Sequence, residues 1–390
     1  MKPKALFVML ILWLSFTTIQ ARSTEDVPDK GTYAKFLLVG CYMKPDEEGV
    51  RMYRFDGQTA DVDYPCGLRG ISNPAFLTSD STGNRIYAIG DDEGKSSTAN
   101  ALLFDKESGL LSLLNSQSTD GELPIYITLS PKEYFVLTAN YKGGSITVFS
   151  QDKKGKLQRD TKIIRFAGNG PNKKRQEQSH LHCVTFTPDG KFLLATDLGT
   201  DCIYLFPIGK RPEAGKAHSL LDESRVVRIQ MDSGSGPRHI CFHPNGRFAY
   251  LISELSGKIT VFSYNEGKLE RLQTIVCDPF VAEGNADIHV SSDGKFLYAS
   301  KHLKEDGIIV YSIDSQRISA NRSLSAKFCH LSGWLLFGSG LQGCQLHTDI
   351  RKKPKYGVTE EYGKKYPTGK TGVCQVLINS SLNRKQYEQV

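Results

Sequence analysis

Apolar positions along this chain recur in short blocks separated by turn residues, and the blocks repeat as a unit. In the clearest copy, His182-Cys183-Val184-Thr185-Phe186 leads into the turn Pro188-Asp189-Gly190 and a second apolar block, Phe192-Leu193-Leu194-Ala195. The same grammar spans residues 239–252 around Asn245-Gly246, 288–300 around Asp293-Gly294, and 125–139 around Lys132-Glu133; a looser copy covers 74–89 around Gly83-Asn84. After a short break most copies add a third apolar block, at 145–149, 202–206, 258–262 and 307–311. Asp-Gly and Asn-Gly pairs predict two-residue hairpin connections, because such a connection needs positive φ. Aligned on positions 83, 133, 190, 246 and 294, the copies are spaced by 50, 57, 56 and 48 residues.

Repeats of this length with several strands each are the blades of a β-propeller. One blade cannot bury both of its faces, so neighbours must stack and the ring must close. A first blade at 36–55 and a last one beyond 315 bring the count to seven. The expected fold is therefore all-β, a seven-bladed propeller of four-stranded antiparallel blades. A parallel solenoid would show a shorter period and no hairpin turns.

Composition changes this picture in three places. Residues 1–22 stand apart: Lys2 and Lys4 precede the apolar run from Ala5 to Leu14, and small and polar residues follow to Ala21. That is the layout of a secretory signal, and the run is short for a bilayer span. The chain is thus expected to be exported, to the periplasm or the outside, with no membrane association after cleavage. The net charge of +7 invites a nucleic-acid partner, but residues 315–390 hold 12 Lys/Arg against 4 Asp/Glu, which leaves residues 1–314 at −1. No nucleic-acid partner is expected. The nine cysteines form no CxxC pair or finger spacing and read as buried thiols. There is no HExxH, Walker or GxGxxG pattern, so neither a metal nor another cofactor is expected.

Several stretches are more specific than the repeat. They are Gly168-Asn169-Gly170-Pro171, Arg175-Gln176-Glu177, Ser179-His180-Leu181-His182, Thr196-Asp197-Leu198-Gly199, Gly236-Pro237-Arg238-His239, Ala286-Asp287-Ile288-His289-Val290 and Thr138-Ala139-Asn140-Tyr141. On these the chain resembles the seven-bladed lactonases, a family that includes propeller-type 6-phosphogluconolactonases and the fungal carboxymuconate cyclase. The resemblance covers about residues 34–314. It implies His182, Arg238 and Glu254 as catalytic residues at the channel mouth, and Arg175, His180, Asn140 and His302 as substrate-binding residues. Two positions depart from the family: Lys301-His302 stands for Asn-Arg, and Gly90-Asp91 for Asn-Glu. His302 lacks the fixed charge and bidentate fork of an arginine.

The residue types fit that chemistry independently. Lactone hydrolysis is acyl transfer to water, and an Arg aimed at the carbonyl oxygen stabilises the charge that builds there. An imidazole near neutral pKa takes the proton of the attacking water, and a carboxylate orients it or serves as the base. His180 and His182, two apart in a strand, share one sheet face. His239, His243 and His289 read as structural. The implied reaction is hydrolysis of a small-molecule sugar lactone by a monomer. Two other readings stay open: a muconate-type cyclase, and a propeller that only binds, since the fold hosts many functions.

After Asp314 the grammar stops. The tail lacks the Pro-Arg-Asn-Phe motif, the Asp-Gly turn and the final apolar strand of the family's closing blade. Read one nucleotide later, Gly333-Trp334 can encode Asp-Gly, Gln345 to Ile350 can encode Asn-Tyr-Ile-Gln-Ile, and Lys370 to Leu377 can encode Lys-Pro-Val-Cys-Val-Lys-Phe. Residues 315–390 are therefore read as a frameshifted seventh blade without closing strands, which leaves the edges of the first and sixth blades exposed.

Overall fold

The computed structural model describes residues 34–56, 62–93, 95–209, 212–277, 284–301, 307–314, 318–319, 326–327 and 374–379. The expected signal at 1–22, His302, and most of the tail lie outside these residues.

The repeated hairpins build six antiparallel sheets. Blade 1 contains β1 (Ala34–Cys41), β2 (Val50–Asp56) and β3 (Val62–Leu68); blade 2 contains β4 (Leu77–Ser79), β5 (Arg85–Asp91), β6 (Ser97–Asp105) and β7 (Leu110–Ser118). Blade 3 contains β8 (Pro124–Leu129), β9 (Phe135–Asn140), β10 (Ser145–Gln151) and β11 (Leu157–Arg165); blade 4 contains β12 (Leu181–Phe186), β13 (Phe192–Asp197), β14 (Cys202–Pro207) and β15 (Val227–Gln230). Blade 5 contains β16 (Pro237–Phe242), β17 (Phe248–Ser253), β18 (Lys258–Asn265) and β19 (Lys268–Val276). Blade 6 contains β20 (Asn285–Val290), β21 (Phe296–Lys301) and β22 (Gly307–Ile313), with the short β23 (Ile318–Ser319) and β24 (Ala326–Lys327) both paired to β22.

The turns differ from the expected two-residue connections. In blade 4, Gly190 N–H donates to the Thr187 carbonyl, and Thr187 N–H donates to the Phe192 carbonyl. Gly190, at φ 66°, is therefore the last residue of a four-residue turn, where type I geometry favours glycine. The Thr187 hydroxyl donates to Asp189 and accepts from Phe192 N–H, which locks the corner. Glu133 holds the equivalent place in blade 3 at φ 57°, a left-handed conformation that a non-glycine residue adopts at a cost.

Stacking explains the continuous apolar blocks. All six residues of β9 and all seven of β10 are buried, because both faces of a blade are covered by neighbours. Leu137, Ala139 and Ile146 of blade 3 pack with Leu193, Ala195 and Phe206 of blade 4. The intervening residues Leu194, Ile203 and Leu205 face the other way, onto Ile240, Leu251 and Phe262 of blade 5. Equivalent cores join blades 1 and 2, 2 and 3, and 5 and 6. Cys183 and Cys202 sit in these cores as thiols, and burial pushes the Cys183 pKa up to about 12.

The tail corrects one expectation. A final strand, β25 (Cys374–Asn379), pairs antiparallel with β1 from Phe36↔Asn379 to Cys41↔Cys374. Blade 1 thus has the order β25-β1-β2-β3, with the C-terminal strand beside the first three. The edge of β1 is covered, and the run Val376-Leu377-Ile378 is apolar and largely β-branched, as a strand favours. The expected seventh blade itself falls outside the described residues.

Candidate active site

In a blade of this topology the start of the first strand, the end of the second and the start of the third share one end of the sheet. The register shows it: Pro124 pairs with Asn140, Leu181 with Asp197, Pro237 with Ser253, and Asn285 with Lys301. His182, Arg238 and Glu254 are therefore delivered to the same face of the ring by blades 4 and 5. The first strands carry a further device. In each of β8, β12 and β16 the pairing slips by one residue just after this end, and the inserted residues are Ile125, His182 and Arg238. A bulge re-aims the side chain it inserts. Two of the expected catalytic residues are thus the extra residues of successive bulges.

Glu254 is the centre of the group. Arg175 Nη2 donates to its Oε1 at 2.6 Å, and Arg238 Nε donates to its Oε2 at 3.1 Å. His182 Nε2 lies 3.6 Å from the same Oε2, just beyond a hydrogen bond. The carboxylate is buried, and two guanidinium groups balance its charge, as a buried ion requires. Arg238 Nη1 donates to the Ala286 carbonyl at 2.8 Å, which ties blade 5 to blade 6. Its Nη2 has no partner among the described residues. Backbone bonds fix the frame, with Glu254 N–H donating to the carbonyl of Gly236, two residues before Arg238.

The charges act on one another. Burial works against a charged Arg175, but Glu254 outweighs it and holds the pKa above the usual guanidinium range. Burial pushes the His182 pKa well below the usual imidazole value, and the positive charge of Arg238 pushes the same way. This corrects the expectation of an imidazole poised near neutrality: His182 is neutral through the physiological range. Its Nδ1 is buried with no hydrogen-bond partner among the described residues.

The other expected residues divide. Arg175 joins the group from the 168–180 loop. That loop is pinned by buried Gln176, which donates to the Leu198 carbonyl and Asp201 Oδ1, both at 2.8 Å. His180 stacks on Tyr141 with ring centroids 4.4 Å apart, its Nδ1 3.0 Å from the Tyr141 carbonyl and its Nε2 3.1 Å from Glu177. Both ring nitrogens are occupied, so His180 forms part of the wall. Asn140 was expected at the substrate. Instead its amide nitrogen donates to the Ser145 and Thr147 hydroxyls and its oxygen accepts from Thr138, all inside blade 3. Gly121 packs over it too closely for any larger side chain. Asn140 holds a turn. Lys301 ends β21 and is buried; His302 lies outside the described residues.

Two features escaped the sequence reading. Tyr141 packs edge-on to His182 at 5.5 Å and accepts a long 3.5 Å bond from Arg175. Deeper in the channel, Asp287 bridges two of the histidines read as structural: His239 Nδ1 is 2.7 Å from Oδ1, and His289 Nε2 is 2.8 Å from Oδ2. These three residues border a cavity of about 260 Å³ that Tyr126, Phe186 and Phe242 also line. His243, by contrast, bonds the Gly294 carbonyl of the next blade's turn and is structural, as expected. Among the described residues no cluster of three or more His, Cys, Asp or Glu side chains could hold a metal ion.

The chain is similar to known proteins over most of its length. It is 33% identical over 284 residues to the 6-phosphogluconolactonase of Bacillus subtilis, covering 71% of this chain and 77% of that protein. A Bacteroides fragilis protein provisionally called a 6-phosphogluconolactonase superposes with a TM-score of 0.70 at 38% identity, over 75% of this chain and 82% of that one. The periplasmic gluconolactonase of Pseudomonas aeruginosa superposes with a TM-score of 0.65 at 29% identity, over 73% and 81%. Residues 36–326 match the model of the lactonase family of seven-bladed β-propellers. This chain belongs to that family.

Proposed function

We propose that the protein hydrolyses a sugar lactone of the 6-phosphogluconolactone type, opening the ring to the hydroxy acid. The observation that carries this reading is the convergence of Arg238, His182 and Arg175 on the one buried carboxylate of Glu254. Arg238 is held on two sides, by Glu254 and by the Ala286 carbonyl, so its remaining Nη2 is a preorganised donor for the lactone carbonyl oxygen. Water adds to the carbonyl carbon, and neutral His182 takes its proton. Glu254, 3.6 Å away, stabilises the imidazolium that forms. Collapse of the tetrahedral intermediate breaks the bond to the ring oxygen, and His182 returns the proton to that oxygen. Arg175, partly exposed on its loop, meets the substrate at the rim.

The export signal and the likeness to a periplasmic gluconolactonase favour an unphosphorylated lactone met outside the cytoplasm. The replacement of the family's Asn-Arg by Lys301-His302 agrees, because a histidine lacks the bidentate fork with which an arginine grips a phosphate. The protein acts as a monomer in this reading, since one chain supplies every group of the site.

The test is hydrolysis of gluconolactone and 6-phosphogluconolactone by the purified full chain, beside His182→Ala and Arg238→Ala. Loss of the oxyanion donor is expected to cost about 10²–10³ in kcat, and loss of the base about 10²–10⁴. Turnover of neither lactone by a folded protein favours a propeller that only binds. Rates unchanged in both variants would remove the assigned roles.

A further inference from the structure

His182 lacks the partner that usually orients a histidine base. Its Nδ1 bonds nothing among the described residues, and its Nε2 stands 3.6 Å from Glu254. Its ring is held by packing, between the edge of Tyr141 and the ring of His239, whose centroid is 5.1 Å away at 72°. His239 is anchored far more firmly. The residue is buried, its ring meets Phe76 and Tyr126 in T-shaped contacts, and its Nδ1 is 2.7 Å from Asp287.

Resting on the lactonase reading of the site, we propose that Asp287, acting through His239, is a positioning residue for His182: it fixes the ring against which the base is set and supplies the negative charge that keeps the base able to accept a proton. Asp287 is itself immobilised. Ile288 N–H donates to Oδ1 at 2.9 Å, His289 engages Oδ2 at 2.8 Å, and Asp287 N–H donates to the Ser300 hydroxyl. Burial works against its ionised form, but the two imidazoles outweigh burial and hold its pKa far below the usual carboxylate value. A carboxylate accepts only, so Nδ1 of His239 donates, which fixes the tautomer of a neutral ring. Burial keeps His239 on that neutral side despite Asp287.

The charges facing His182 show why the distant carboxylate matters. Arg238 and Arg175 oppose its protonation, while neutral His239 and Tyr141 meet it through T-shaped ring packing. Glu254 favours protonation, but its two oxygens are already bonded to the two arginines. Asp287 lies one ring further away, bonded to His239. Neutralising it makes His182 harder to protonate and so a weaker base.

The experiment compares the full-length wild type with Asp287→Asn and Asp287→Glu by two readouts. In kcat against pH, Asp287→Asn is expected to lose about tenfold, with KM within about twofold and the acid limb moved to lower pH; Asp287→Glu recovers part of the rate. In ¹⁵N spectra of histidine-labelled protein, Asp287→Asn is expected to shift the His239 Nδ1 signal and lower the titration point of His182. A fall in kcat with the acid limb unmoved, or unchanged His239 and His182 signals, overturns the proposal. If the wild type opens no lactone, the lactonase reading fails on its own, and the ¹⁵N titration still decides between positioning and packing.

Discussion

At the residue scale, the site works by using burial to set charge. His182 is kept neutral by burial and by Arg238, so its proposed role as a base has a definite pH signature. The base must be unprotonated, and its pKa is depressed. Activity should therefore persist as pH falls through the ordinary imidazole value of about 6.5 and be lost only below it. A kcat/KM profile with an acid limb at or above that value, and absent in His182→Ala, would count against the depressed pKa; a limb that persists in His182→Ala would count against His182 as the base. His182 and Arg238 were legible in the sequence because each is embedded in a specific motif, whereas Glu254 was implied only by the family resemblance. Their charge state was not legible, because it depends on how deeply blades 4 and 5 bury them. Asp287 and His239 escaped for a similar reason: they lie 48 positions apart and meet only where two blades stand side by side. Asn140 was misplaced because a motif does not say which way its amide turns.

At the element scale, the hairpin repeat gave away the blades, since Asp-Gly or Asn-Gly recurs at one place in three of the five aligned units. The bulges in β8, β12 and β16 left no such trace, because they are defined by pairing across strands and by no local residue type. The 168–180 loop is the element most open to test. Gln176 ties it to the Leu198 carbonyl and Asp201 and also accepts from Asn172 N–H, so one side chain holds the strap that carries Arg175. Gln176→Ala leaves those partners unsatisfied, at a cost of about 1–3 kcal/mol. We expect faster tryptic cleavage at exposed Lys173 and Lys174 and a higher KM, with kcat changed less. A cleavage rate equal to wild type would show that the strap is held by something else.

At the scale of the whole molecule, ring closure is the question. Pairing of β25 with β1 joins the two ends of the chain, as a propeller needs. The lysine-rich composition of the tail hid that strand from the sequence reading. We retain the proposal that residues from about 315 are a shifted reading of the seventh blade, and sequencing the gene across codons 310–335 decides it. An inserted or deleted nucleotide there is expected; an intact frame ends the idea. Blades 4 and 5, stacked through their shared core, bring Arg238, His182 and Glu254 together at one end of the sheets. The most direct test of that claim is a pH-stat assay of lactone opening by wild type, Arg238→Ala, Glu254→Gln and the double variant. Residues acting as one unit give non-additive losses, so each single change should lower kcat/KM by at least about 100-fold, with the double variant little worse than the poorer single. Single variants that keep wild-type rates, or losses that simply multiply, would contradict it.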